Sequence, residues 1–139
     1  MASNQDQMDT GPLEIPDDSL QLLERPLYVH LATIGPRGQP QVNPMWFDWD
    51  GSRLRFTHTD QRQKYRNVQR DPRVAISMVD PEQPYHYLEL RGVVEAIERD
   101  PDATFFNRLA ERYGVGLRNP ADRAHRVVLV VRPVSLTRQ

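Results

Sequence analysis

Cysteine is absent from the 139 residues, which removes disulfides, thiolate nucleophiles, iron–sulfur clusters and cysteine-ligated zinc. Lysine is nearly absent: Lys64 stands alone against seventeen arginines. An excess of either charge is lacking too, since the formal net charge is −1. No global field therefore steers the chain to nucleic acid or an anionic membrane, and any anion recognition has to be local. No stretch approaches the ~20 apolar residues that span a bilayer. The first twenty residues show neither the basic nor the apolar segment of a secretory signal. The expectation is a soluble, cytoplasmic protein. Neither GxGxxG nor a GxxxxGK loop occurs, which excludes nucleotide binding through those loops. His30, His58, His86 and His125 are scattered without ligand spacing, so no metal site is expected.

What is present fits one domain with a single core. Residues 1–16 are polar and read as a flexible N-terminal arm, with one domain over 17–139. Asp17-Asp18-Ser19 can cap a short helix docked by Leu20, Leu22 and Leu23 and stopped by Pro26. Strands are predicted over Leu27–Ile34, Gln41–Trp49 and Leu54–Thr59, joined by the Gly35–Gly38 turn and the Asp50-Gly51 hairpin. A helix over Gln61–Gln69, capped by Thr59 or Asp60, ends at Asp71-Pro72. Val74–Val79 reads as a buried strand and Tyr85–Ile97 as a long one with Gly92 a bulge or bend. Asp100-Pro101 opens a further helix with Phe105, Phe106, Leu109 and Tyr113 on its apolar face. The last strand runs from Arg126 past Pro133 to Leu136. Six strands in two antiparallel groups, with helices at the joins, predict a mainly β (α+β) chain folded as a small closed or split barrel.

The junction of the third strand with its helix concentrates chemistry. Phe56-Thr57-His58-Thr59 leads into Arg62, Lys64, Arg66 and Asn67. Threonine hydroxyls and the free N–H groups of a first helical turn all donate to anions. An ammonium is a compact charge suited to a phosphate, whereas guanidinium is a planar fork. On an ideal helix Arg62 and Lys64 lie about 200° apart and cannot share a face, though they can grip one anion lying off the helix end. Arg62, Arg66 and Arg70 form a basic stripe, with Tyr65 and Val68 inward. A purely solvated helix face is the competing reading of the same run.

The stretch Gln41–Trp49 is informative in another way. Alternation sends Asn43, Met45, Phe47 and Trp49 to one side and Val42, Pro44, Trp46 and Asp48 to the other. Large apolar groups on both sides mean that the strand is covered twice, by core and by a subunit interface or a flat ring. Pro44 suits an edge.

The ordered motifs LATI, PQVNPMWFDWDG, RFTHT, QRQKYRN, DPRVAISMVD and YLELRGVVE, over roughly residues 19–137, resemble the pyridoxamine 5′-phosphate oxidase-like, FMN-binding-like split β-barrel superfamily. Within it the chain is most similar to coenzyme F420 (deazaflavin)-dependent oxidoreductases. The resemblance implies a homodimer with the cofactor in a groove between subunits. It assigns Thr57, Arg62, Gln63, Lys64, Tyr65, Arg66 and Asn67 to the phosphate and tail, and sets Met45 and Trp46 beside the ring. Ser77 and Met78 would line the same groove. The implied activity is hydride transfer from the reduced deazaflavin to a small unsaturated or conjugated molecule.

The cofactor carries such chemistry. His30, His58, Tyr28 and Tyr87 can each donate a proton, but His and Tyr on strands more often serve packing, so no catalytic residue is assigned. The alternatives are the same fold with FMN, as an oxidase or flavin reductase, and a deazaflavin carrier without turnover. Nucleic-acid binding fits poorly, because no exposed aromatics interleave with the cations. The substrate is not legible; Tyr85, Tyr87 or the arm are the segments placed to select it.

Overall fold

The computed structural model describes residues 3–6 and 12–139. Its strands are β1 (Ser3–Asp6), β2 (Val29–Ile34), β3 (Pro40–Met45), β4 (Phe47–Trp49), β5 (Leu54–Thr59), β6 (Arg73–Asp80), β7 (Gln83–Arg99) and β8 (Arg126–Arg138). Its helices are α1 (Asp17–Leu23), α2 (Gln63–Arg70) and α3 (Thr104–Arg112). All the strand pairs are antiparallel.

The strands make one sheet in the order β3-β2-β6-β7-β8-β5-β4, with β1 on the far half of β8, rather than the two groups expected. The outermost strands of that path, β3 and β4, are consecutive in the chain and separated by Trp46 alone. Neighbouring Cα atoms lie about 3.8 Å apart, so the two ends of the sheet are tied to each other and the sheet must curl. This is a split barrel. The strand expected over Gln41–Trp49 is thus two strands, broken at Trp46.

Side-chain period explains the filling. Along β8, Val127, Leu129 and Val131 point into the barrel with Phe47, Phe56, Leu31 and Leu90. Val128 and Val130 point outward, where Phe105 and Leu109 of α3 cover them. Each such fully buried side chain contributes roughly 1.5–3 kcal/mol. Leu22 and Leu23 fasten α1 to the same core. Of the arm expected over residues 1–16, residues 1, 2 and 7–11 lie outside the described part, while Leu13 and Ile15 pack against the core.

Gly92 sits where β7 shifts register against β8. A Cβ there would come within 2.7 Å of the Arg132 carbonyl oxygen, so only glycine allows the approach. The helix expected at Asp100-Pro101 starts later, at Thr104, because a turn with Ala103 at φ 57° intervenes. Asp100 still caps it from a distance: its carboxylate accepts from the N–H groups of Phe105 (3.1 Å) and Phe106 (3.0 Å).

The far end of α3 locks the β3–β4 joint. Arg112 Nε donates to the Phe47 carbonyl (2.9 Å) and its Nη2 to that of Arg25 (2.8 Å). Tyr113 Oη donates to the Leu27 carbonyl (2.6 Å) and accepts from Phe47 N–H (3.1 Å). The Trp46 indole stacks on Tyr113, centroids 5.1 Å apart at 11°.

Candidate functional site

At the junction of β5 with α2, facing the end of β3, lies a cavity of about 480 Å³. Met45, His58, Arg62, Gln63 and Lys64 line it together with Gln41, Asn43 and Pro44. No carboxylate contributes to this wall.

Its position follows from α2. The helix begins at Gln63, not at Gln61, and neither Thr59 nor Asp60 caps it; no side chain does. Thr59 Oγ1 instead accepts from Gln61 N–H at 3.3 Å. Arg62 is extended (φ −112°, ψ 161°), so the helical angle does not separate it from Lys64. The two cations meet at one cavity, and among the described residues the Arg62 guanidinium has no hydrogen-bond or ion-pair partner.

Lys64 is the anomaly. It is 4% exposed, yet among the described residues the one hydrogen-bond partner of its ammonium is the Met45 thioether, Sδ lying 3.0 Å from Nζ. Sulfur is a weak acceptor. Burial, with the neighbouring Arg62 charge, pushes the Lys64 amine down from 10.5 to about 8. Holding it charged at neutral pH therefore costs roughly 3 kcal/mol.

A polar relay beneath the cavity fixes α2 to the sheet. Arg66 Nη2 donates to Gln63 Oε1 (2.9 Å), and Gln63 Nε2 to Asn67 Oδ1 (2.8 Å). Asn67 Nδ2 donates to Thr33 Oγ1 and to Gln41 Oε1, both at 3.0 Å. Gln41 Nε2 in turn donates to Asn43 Oδ1 (3.2 Å). Asn67, fully buried, thus holds the helix in place and does not face the cavity. The expected basic stripe is broken up, since Arg66 is engaged by Gln63 and Arg70 Nη2 donates to the Ile34 carbonyl (2.7 Å).

Of the residues singled out in the sequence, Met45, Arg62, Gln63 and Lys64 come together in the cavity. Thr57 is not in the cavity wall: alternation along β5 sends it opposite to His58, and its hydroxyl accepts from Arg126 Nη2 at 2.8 Å. Trp46 lies in the aromatic layer with Tyr113 and Phe106. Tyr65 packs partly on the core, and its Oη accepts from Gln69 Nε2 (3.2 Å). Ser77 is exposed in the cross-strand row Pro44–His30–Ser77, two strands from the cavity. Met78 must be removed from the groove: it is 1% exposed in the barrel core, because alternation sends it opposite to Ser77.

Gln41, Asn43 and Arg126 were not singled out, and His58 was weighed only as a proton donor. The alternation that placed Met45 carries Asn43 and Gln41 to the same side, so that signal was in the sequence. Arg126 lies 69 residues from Thr57 and reaches it through the β5–β8 pairing. No local pattern announces such a contact.

A family model described as pyridoxamine 5′-phosphate oxidase matches residues 15–138. The chain belongs to the pyridoxamine 5′-phosphate oxidase family. A solved structure named F420 reductase is 56% identical, covering 90% of this chain and 100% of its own, with a TM-score of 0.87. A putative pyridoxamine 5′-phosphate oxidase from Listeria innocua (22% identity, 84% of this chain and 91% of its own, TM-score 0.65) shares the fold. So does a conserved hypothetical protein from Mycobacterium tuberculosis (23%, 92% and 89%, TM-score 0.66). No curated protein matches the chain. Among the described residues no helix is long and apolar enough to cross a membrane.

Proposed function

We propose that this chain is an oxidoreductase that uses reduced coenzyme F420 as hydride donor to a small unsaturated or conjugated organic molecule. The observation that carries the proposal is the buried Lys64 ammonium without a counter-ion. A charge left uncompensated in a protein interior is costly, and the cavity around it offers a second free cation and no acid. Such a wall is built to receive an anion, and a phosphate group answers both cations at once. Coenzyme F420 carries a phosphate and further negative charge in its tail, and the 56% identical neighbour bears the name F420 reductase.

In this reading Lys64 and Arg62 hold the phosphate, and Gln63 is oriented by Asn67 at its rim. Met45 turns toward Lys64 and Trp46 toward the aromatic layer, so the two adjacent residues flank the ring's position. The bound deazaflavin would supply the hydride. The protein orients it and keeps its charge neutralised. A second copy of the chain completes the groove: Val42, on the strand that carries Met45, is 58% exposed and Tyr28, just before the neighbouring β2, 64%.

Fluorescence titration with coenzyme F420 and, in parallel, with FMN tests the assignment. The coenzyme should bind, and Lys64→Ala should weaken it tenfold or more, as expected when a charged hydrogen bond of about 1.5–3 kcal/mol is lost. Tight FMN binding with no response to the deazaflavin would reject the proposal. Oxidation of the reduced coenzyme by quinones, enones or tetrapyrroles separates an enzyme from a carrier. Sedimentation of the complex reports the dimer.

A further inference from the structure

The inner wall of the Lys64 cavity is the ring of His58. β5 turns this residue toward α2, and only 7% of it is exposed. Its Nε2 is buried without a hydrogen-bond partner, whereas more than nine in ten buried polar groups normally have one. The charged groups that act on the ring are all cationic: Lys64 from α2, Arg62 just before it, and Arg126 from β8. The nearby acids are engaged elsewhere. Asp60 contacts Arg99 and His125, and Asp122 contacts Arg126. From β3 the wall contributes Met45, Asn43 and Gln41, none of them charged.

Burial, joined by the charges of Lys64, Arg126 and Arg62, pushes the His58 imidazole from 6.5 down to about 4. In the free protein it is neutral at pH 7. A doubly charged anion seated between Arg62 and Lys64 would reverse the field at the ring and give the imidazole, through the edge that lines the cavity, a hydrogen-bond partner.

We propose that His58 is a further binding residue of this cavity, hydrogen-bonding the phosphate-like anion and taking up one proton from solvent as the anion arrives. The inference rests on the anion-binding reading of the cavity. It makes binding proton-coupled. Free His58 binds its proton only below about pH 4, so between that value and the higher midpoint of the complex the bound state carries the extra proton. Affinity there falls as pH rises, by up to tenfold per pH unit. Above the midpoint of the complex His58 is neutral in both states and the dependence vanishes. It returns above about pH 8, where free Lys64 loses its proton.

Sulfate is the probe, because it stays doubly charged across this range. In the wild-type protein the His58 ring is followed by NMR from acid to neutral pH, with and without saturating sulfate. Its midpoint should rise by at least one pH unit, and calorimetry at pH 5 in two buffers of different ionisation heat should count at least about 0.4 proton taken up. His58→Gln, which keeps a neutral donor, should bind sulfate at pH 7 yet lose the pH dependence below it. If sulfate shifts the Lys64 signals while the His58 midpoint stays fixed, this inference is overturned and the cavity reading survives. If neither residue responds, both fall.

Discussion

Asp48 and Lys64 are both nearly buried charges, and the fold treats them in opposite ways. Asp48, on β4, receives two hydrogen bonds from Arg55 (Nε 3.0 Å, Nη2 2.9 Å) and the approach of Arg108 at 3.4 Å. Arg55 also lies over the Phe105 ring, 5.1 Å from its centroid. One acid has two cations. Lys64 has a thioether. The first arrangement is finished within the chain and stabilises the joint between barrel and α3. The second is left open within the chain, at the expense of the free protein's stability, and is the gap that the proposed anion would fill.

The sharpest way to break this contrast is to remove the finished charge. Asp48→Ala strands Arg55 against Phe105 and should destabilise the protein by about 3 kcal/mol in a urea melt. A loss under 1 kcal/mol would mean that the pair is surface-like after all. Next in size is Asn67→Ala, which leaves Gln63, Thr33 and Gln41 without their shared partner. A loss of about 2 kcal/mol is expected, accompanied by weaker coenzyme binding as α2 loosens.

Lys64→Met should act in the other direction. It removes an uncompensated buried charge and should raise stability at pH 7 by about 1–3 kcal/mol while abolishing anion binding. Destabilisation would show that the ammonium has a partner in the free protein. The last effect is one of pH, and over its whole range it equals the burial penalty of roughly 3 kcal/mol. The Lys64 amine is at about 8 when folded against 10.5 ordinarily. Between these values the unfolded chain holds the extra proton, so stability should rise with pH there. Below pH 8 the penalty is fully present. The rise should be missing in Lys64→Met.

Much of this was legible in the residues. β5 was placed over Leu54–Thr59 as observed, because its alternation is strict and Asp50-Gly51 fixes where it starts. Gly92 announced its bend, since only a close backbone approach asks for glycine inside an apolar strand. The unusual lysine pointed to the cavity. What stayed hidden was long-range. Alternation runs unbroken through Trp46, and nothing local says that residues on either side belong to opposite ends of the sheet. Asn67 looked like one more donor in a polar run, because its partners Thr33 and Gln41 are more than twenty residues away. Met78 was misplaced because the apolar run Val74–Val79 reads as buried throughout and hides its alternation, in which Ser77 and Val79 turn outward and Val74, Ile76 and Met78 inward.

The one-residue joint at Trp46 has an optical consequence. Met45 touches the cavity's ammonium, and the indole of the next residue rests on Tyr113 in another layer. Any adjustment of the thioether as the cavity fills is handed through a single peptide to an emitting chromophore. With Trp49 replaced by phenylalanine, Trp46 would be the lone indole in the chain, and its emission would read the filling of a cavity whose wall it does not join.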